Sequence, residues 1–216
     1  MNKIDFLQFL EYRGAEIIKL TGEHMKITGV AVLLAIVVGV PLGIYITKNK
    51  KVTNVILSTA NIFQTLPSLA LFGLIIPIMG IGFIPAIFVL FLYALLPIIK
   101  NTYIGINSIE PSIIEAGRGM GMTKTQILTM VEIPLALPII MGGIRISTVI
   151  NIGTATIAAL IGAGGLGEFI FKGISMGNNQ LILAGAIPTA ILAMSVDFIL
   201  GVVEKKLTPQ GLKNNQ

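Results

Sequence analysis

From Ile27 to Thr47 the chain runs without a charged side chain. About 20 mostly apolar residues, rising 1.5 Å each in a helix, cross a hydrocarbon core roughly 30 Å thick. The next charge-free stretch, Val52 to Ile99, is too long for one crossing and is interrupted at Pro77-Ile78-Met79-Gly80-Ile81-Gly82. Proline and paired glycines favour a tight turn there, which predicts a helical hairpin over 55–78 and 83–99. A fourth apolar run covers 135–161, interrupted by Arg145, and a fifth covers 181–203, interrupted by Asp197. The pattern therefore predicts an all-α, polytopic membrane protein with five transmembrane helices.

The first 26 residues break this pattern by mixing Glu11, Glu16 and Glu23 with Arg13, Lys19 and Lys26. They lack the basic, apolar and small-residue succession of a cleavable secretory signal. Phe6, Leu7, Phe9, Leu10, Ile17, Ile18 and Leu20 give the segment an amphipathic character, which predicts a helix lying at the outer membrane surface. Three regions follow: an external interfacial segment 1–26, a membrane domain 27–203 that contains a cytoplasmic loop 100–138, and a cytoplasmic tail 204–216. Putting Lys48, Lys50 and Lys51 inside also puts Lys100, Arg118, Lys124, Lys205, Lys206 and Lys213 inside, against Lys3, Arg13, Lys19, Lys26 and Lys172 outside. This excess of basic residues predicts an external N-terminus and a cytoplasmic C-terminus.

Composition narrows the chemistry. Charged residues are 12% of the 216, about half the share of roughly 25% in soluble domains, while 54% are hydrophobic. The net charge of +5 is absorbed by the inner-leaflet bias, with no basic face left for nucleic acid. Cysteine is absent and His24 is the sole histidine, so disulfides, zinc-thiolate and multi-histidine metal sites are excluded. His24, at the edge of the first span, is expected to be interfacial. No Gly-Lys dipeptide occurs, so the chain holds no phosphate-cradling nucleotide loop. Gly162-Ala163-Gly164-Gly165-Leu166-Gly167 matches Gly-x-Gly-x-x-Gly, but that fingerprint works between a strand and a helix, and here it follows a membrane helix. The segment is expected to serve close backbone packing at the mouth of a path instead. Gly39 and Gly43 form a Gly-x-x-x-Gly pair that favours close helix packing on the first span.

The 100–138 loop is patterned rather than linker-like. Ser112-Ile113-Ile114-Glu115 and Thr123-Lys124-Thr125-Gln126 each have the form of a capping box, predicting two short helices. Gly121 is placed to end the first in a left-handed conformation, and Pro134 to stop the second near Ile133. Ile113, Ile114, Met120, Met122, Ile127, Leu128 and Met130 would be available to an apolar partner.

Glu115-Ala116-Gly117, Gly121 four residues on, and then Val131-Glu132-Ile133-Pro134 resemble the EAA loop of the membrane subunits of binding-protein-dependent ABC importers. Gly117 stands where that pattern has alanine, Val131 where it has isoleucine and Ile133 where it has leucine. Asn61 to Leu71, Phe91 to Pro97, Asn101-Thr102-Tyr103 and Ile161 to Gly167 are similar to the osmoprotectant or quaternary-amine branch, while methionine-type permeases share the size and the glycine-rich segment. The resemblance implies a type I ABC importer permease in a bacterial plasma membrane. It also implies that Glu115, Ala116, Gly117, Gly121, Ile133 and Pro134 belong to a loop that docks on a cytoplasmic ATPase, which uses ATP with magnesium. The implied partners are that ATPase, a second permease subunit, identical or similar, and an external solute-binding protein; this chain would bind no cofactor. The implied solute is glycine betaine, choline or carnitine, with methionine or another amino-acid-like solute as the alternative. Asp197 is the sole acid inside an expected span, which leaves an ion-coupled carrier a weaker reading.

Within the spans, polar side chains either join helices or line a path. Gln64, Thr65 and Ser68 cluster around Pro67 in the second span, and Asn151, Thr154 and Thr156 sit on the fourth. Arg145 and Asp197 both lie roughly 12–15 Å in from the inner surface, counting 1.5 Å per residue. Their equal depth predicts an ion pair between the last two spans, the alternative being that Arg145 snorkels to the headgroups while Asp197 faces water.

Overall fold

The computed structural model describes residues 6–208, so the charges expected at 1–5 and most of the expected tail, 209–216, lie outside the described residues. Among the described residues the chain is all-helical: α1 (Phe6–Ile46), α2 (Lys50–Thr65), α3 (Ser68–Met79), α4 (Phe83–Asn107), α5 (Pro111–Gly119), α6 (Lys124–Ile127), a π-helical turn (Leu128–Glu132), α7 (Ile133–Ala158), a 3-10 turn (Ala159–Ile161), α8 (Gly167–Met176) and α9 (Asn179–Leu207). Four helices are long and apolar enough to cross a membrane, and the bent α2–α3 pair makes up to five crossings.

The expected break between a surface helix and the first span is not there. α1 is continuous over 41 residues, with Thr21 and Thr28 hydroxyls donating to Ile17 and His24 carbonyls four residues back, each at 2.8 Å. Its N-terminal part is held by tertiary packing, Leu20 being buried with Leu166, Phe169, Leu181 and Ala184. Leu20 and Ile17 of the expected amphipathic face thus cover protein, whereas Ile18 is exposed.

α4 is the central helix and lies against α1, α2, α3 and α7. Its N-terminal half buries Ala86, Val89 and Leu90 with Ile27, Leu71, Phe72 and Ala155; its C-terminal half buries Ala94, Ile98 and Ile106 with Ala35, Ala136 and Ile140. With no hydrophobic force between helices in lipid, such packing relies on small residues that let backbones approach. A Cβ on Gly43 would lie 2.5 Å from Thr102 Cβ, and one on Gly39 3.0 Å from Ile98 Cγ2, so the glycine pair of α1 seats α4. Gly143 of α7 does the same against Asn101 and the Pro97 carbonyl.

The second span differs from a straight 55–78 helix: α2 and α3 meet at 99°. Pro67 has no N–H to continue the ladder and drives Leu66 into extended backbone (φ −66°, ψ 137°). The hairpin turn forms at Gly80 (φ 78°) and Gly82 (φ 108°), where Gly82 N–H donates to the Ile161 carbonyl at 2.7 Å and ties the turn to the end of α7.

Candidate coupling loop and translocation path

In the loop after α4, only one of the two expected capping boxes forms. Thr123 Oγ1 accepts from Gln126 N–H at 3.3 Å while Gln126 Oε1 accepts from Thr123 N–H at 2.8 Å, opening α6. The Ser112–Glu115 box is absent because Pro111 already starts α5, with Glu110 at the N-cap, leaving Ser112 inside the first turn. Gly121 ends α5 as expected, at φ +81°, and Met122 N–H reaches back to the Gly117 carbonyl at 3.1 Å.

Pro134 does not stop the second helix. The π turn lets Ile133 N–H donate to Leu128, five residues back, and the wider turn accommodates a proline ring near the start of α7. Lys124 to Ile161 is consequently one helical run of 38 residues. Glu115 and Ala116 are exposed, Gly117 is buried, and Ile133 and Pro134 are half-buried. A Cβ on Gly117 would meet Met122 Sδ at 3.4 Å and Ile127 Cγ1 at 3.5 Å, ordinary contacts that an alanine could make. Of the apolar set expected on this loop, Met120 and Met130 are broadly exposed and Ile113 partly so, whereas Ile127 is buried beneath α5. Between the loop and the C-terminal ends of α1 and α4 lies a cavity of about 610 Å³, lined by Glu115, Arg118, Lys124 and Glu132 among others.

The polar set of the second span falls at the α2–α3 break. Thr65 is exposed and its hydroxyl donates to the Ile62 carbonyl at 2.9 Å, Gln64 and Ser68 are half-buried, and Pro67 is exposed. The Leu66 carbonyl freed at the break accepts from the Tyr93 hydroxyl of α4. On α7, Asn151 is fully buried, donating through Nδ2 to the Ser147 carbonyl at 3.1 Å, and Ser147 Oγ donates to Ala94 O of α4 at 3.1 Å. Thr154 is half-buried and bonds to Ile150 O at 2.9 Å. Among the described residues no hydrogen bond joins the α2–α3 set to the α7 set.

Arg145 and Asp197 do meet. Arg145 Nε donates to Asp197 Oδ1 at 2.9 Å and Nη2 to Oδ2 at 3.0 Å, a bidentate fork, while Nη1 donates to Glu204 Oε2 at 2.8 Å. An unpaired charge at the centre of a span costs about 2.5–3.5 kcal/mol on insertion scales, so this pairing offsets a large penalty. Glu204 was not foreseen because the sequence assigns it to the tail. It stands seven residues, two turns, after Asp197, and that spacing was the available signal. Gly201 lies between the two acids, and a Cβ there would come within 3.3 Å of Arg145 Cζ.

On α1, His24 is not interfacial but completely buried, donating from Nε2 to the Ile152 carbonyl at 2.9 Å. The glycine-rich segment closes over it. Gly164 (φ 83°) and Gly165 (φ 87°) pack against Glu23 and His24, and Gly165 N–H donates to Glu23 Oε2 at 3.3 Å. A side chain on Gly165 would stand 3.0 Å from His24 Nδ1, so the burial depends on glycine 141 residues away in the chain.

Residues 39–209 match the family model described as "Binding-protein-dependent transport system inner membrane component". The chain is 48% identical over 207 residues to the glycine betaine/carnitine/choline transport system permease protein OpuCB of Bacillus subtilis (strain 168), covering 96% of this chain and 95% of that one. It is 47% identical to the choline transport system permease protein OpuBB of the same organism, with the same coverage. Its fold is similar to that of a chain of the MetNI methionine ABC transporter solved in inward-facing conformations, with TM-score 0.83 and 25% identity over 92% of this chain and 99% of that one.

Proposed function

From the premise that the chain belongs to the family of inner membrane components of binding-protein-dependent transport systems, we propose that it forms half of an ATP-driven import path for a quaternary-amine osmoprotectant such as glycine betaine, choline or carnitine. The observation that carries the solute class is the 47–48% identity, over 96% of the chain, to permeases named for those compounds. The chain is a transport component, so the work of ATP hydrolysis with magnesium falls to a cytoplasmic ATPase. A second permease subunit, identical or similar, supplies the other half of the path. An external binding protein supplies selection, in keeping with a chain that has no tryptophan and only four tyrosines for an aromatic cage around a cation.

In this reading Glu115, Ala116, Gly117 and Gly121 belong to the element the ATPase grips. The exposed edge of α5, Met120 and Met130 give it apolar and polar footing. Residues 124–161 form a single helical run, so a displacement of α6 moves α7 with it. Gln64, Thr65, Pro67 and Ser68 at the bent pair contribute path-side polar groups and a backbone break that can flex. Thr154 and Asn151 on α7 are assigned to the same path, Thr154 half-buried and Asn151 buried and bonded to Ser147, whose hydroxyl joins α7 to α4. The N-terminus lies outside and the C-terminus in the cytoplasm, following the basic-residue bias.

The test is uptake of labelled glycine betaine at high osmolarity, in cells without osmolyte importers of their own, carrying this chain with its neighbouring ATPase and binding-protein genes. ATPase-dependent uptake that is competed by choline or carnitine and resists methionine supports the proposal. The methionine alternative, favoured by the fold match to a methionine transporter, requires the reverse competition pattern.

A further inference from the structure

α1 is anchored at two places along its apolar run. His24 Nε2 reaches the Ile152 carbonyl of α7, and Gly39 and Gly43 seat the helix on α4. Over the intervening turns a groove of about 310 Å³ separates α1 from the α7–α9 pair. Val32 and Ile36 of α1, Ile144 and Ile152 of α7, and Leu192 and Leu200 of α9 are among its lining. Val32, Ile144, Ile152 and Leu192 are buried and form the floor, while Met25 and Leu33 stand exposed at the rim, at 52% and 61%.

The chemistry of the lining excludes a polar occupant. Its two hydroxyls, on Thr28 and Thr148, donate within their own helices to His24 O at 2.8 Å and Ile144 O at 2.7 Å. The rest is apolar side chain and Gly29, and a cavity with such walls stays dry.

The dimensions exclude a helix. The lining extends about 12–16 Å along each helix at 1.5 Å per residue, so the volume makes a slot only about 4–5 Å across. An α-helix with its side chains is roughly 10–12 Å in diameter. Nor do the walls suit a helix lying over the slot, because helices associate in lipid through small residues that bring backbones together or through polar groups. Here the walls are Val, Ile, Leu and Met, and the one glycine keeps the slot open: nothing lies within 4 Å of a Cβ placed on Gly29. A single file of methylenes fits that width. The length is about half of the roughly 30 Å hydrocarbon core, the share of one leaflet.

We infer that the groove between α1, α7 and α9 is a binding site for one acyl chain of a bilayer phospholipid. The chain supplies the dispersion contacts that the side chains leave unmade and so joins α1 to the α7–α9 pair. The site reads the hydrocarbon tail and not the headgroup, and it is independent of which solute the transporter carries.

The test uses the complete transporter, reconstituted in vesicles of phosphatidylethanolamine and phosphatidylglycerol, extracted in mild detergent and read by native mass spectrometry. Gly29→Phe, whose ring takes the slot, is expected to carry one phospholipid fewer per copy of this chain than the parent. Val196→Phe fills the slot from the α9 wall and is expected to show the same loss, so the result does not hang on one variant assembling. Val30→Phe, exposed beside Gly29 but outside the lining, is expected to keep the parent's count. Equal counts in the parent and an assembled groove variant, in a complex that still imports solute, overturn the site and leave the import function standing. What covers the groove is read separately in this cysteine-free chain with Leu33→Cys carrying a benzophenone maleimide. Photolysis in the vesicles is expected to capture phospholipid; capture of the second permease subunit in its place overturns the proposal.

Discussion

The hydroxyl of Tyr93 on α4 donates to the carbonyl of Leu66, the last residue before Pro67. This bond satisfies a backbone acceptor that the proline break would otherwise leave unpaired inside the membrane. Tyr93→Phe is expected to destabilise the complex by about 1–3 kcal/mol, the cost of an unsatisfied buried polar group. A fall in the thermal midpoint of the purified transporter checks this, and it should vanish when Pro67→Ala and Tyr93→Phe are combined if the ladder then closes across residue 66.

Packing of α1 on α4 makes a paired prediction. Gly43→Leu, whose Cβ would collide with Thr102, should cost 1–3 kcal/mol or more, the range for overpacking, and reduce folded yield in detergent. Gly29→Ala, with nothing within 4 Å of its Cβ, should be neutral or stabilising by up to about 1 kcal/mol through helix propensity.

For the Arg145 cluster the expected order of damage to membrane yield is Arg145→Met above either Asp197→Asn or Glu204→Gln, because removing the cation strands two carboxylates while removing one acid leaves the other paired. Exchange of Arg145→Asp with Asp197→Arg should recover yield lost by either single change. The recovery should be greater in a Glu204→Gln background, where no second acid faces the new Asp. Failure of both exchanges argues against a locking role.

In the loop, Gly121 has φ +81°, where an L side chain is strained by roughly 1–2 kcal/mol. Gly121→Val should abolish uptake with membrane insertion intact, measured alongside ATPase activity in proteoliposomes. Gly117→Ala, which meets only ordinary contacts, should transport normally and raise stability by about 0.5–1 kcal/mol.

Orientation is checked with Asn49→Cys and Asn178→Cys. An impermeant maleimide applied to intact cells should label the second and spare the first; the opposite pattern reverses the assigned topology.

How much of this was visible in the sequence depended on the range of the interaction. Charge-free runs mark the long helices because crossing hydrocarbon is a local demand on composition. Equal depth was enough to point Arg145 and Asp197 at each other, since depth follows from counting residues along rigid helices. Features set by distant packing were hidden. His24 looked interfacial because its cover, Gly164 and Gly165, arrives from far along the chain. The N-terminal part of α1 looked like a surface helix because Phe169 and Leu181, which bury Leu20, belong to elements read separately. Pro134 misled for another reason: a proline normally ends a helix, and the i→i+5 turn that absorbs it has no sequence signature.

That turn gives the loop a mechanical character. From Lys124 to Ile161 the backbone is one continuous helical run, about 57 Å long at 1.5 Å per residue, with the π turn at Leu128–Glu132 near its α6 end. Because the run is unbroken, a small tilt imposed at α6 is carried along its length into a wider sweep at the far end, where Ile161 holds the α3–α4 turn through Gly82.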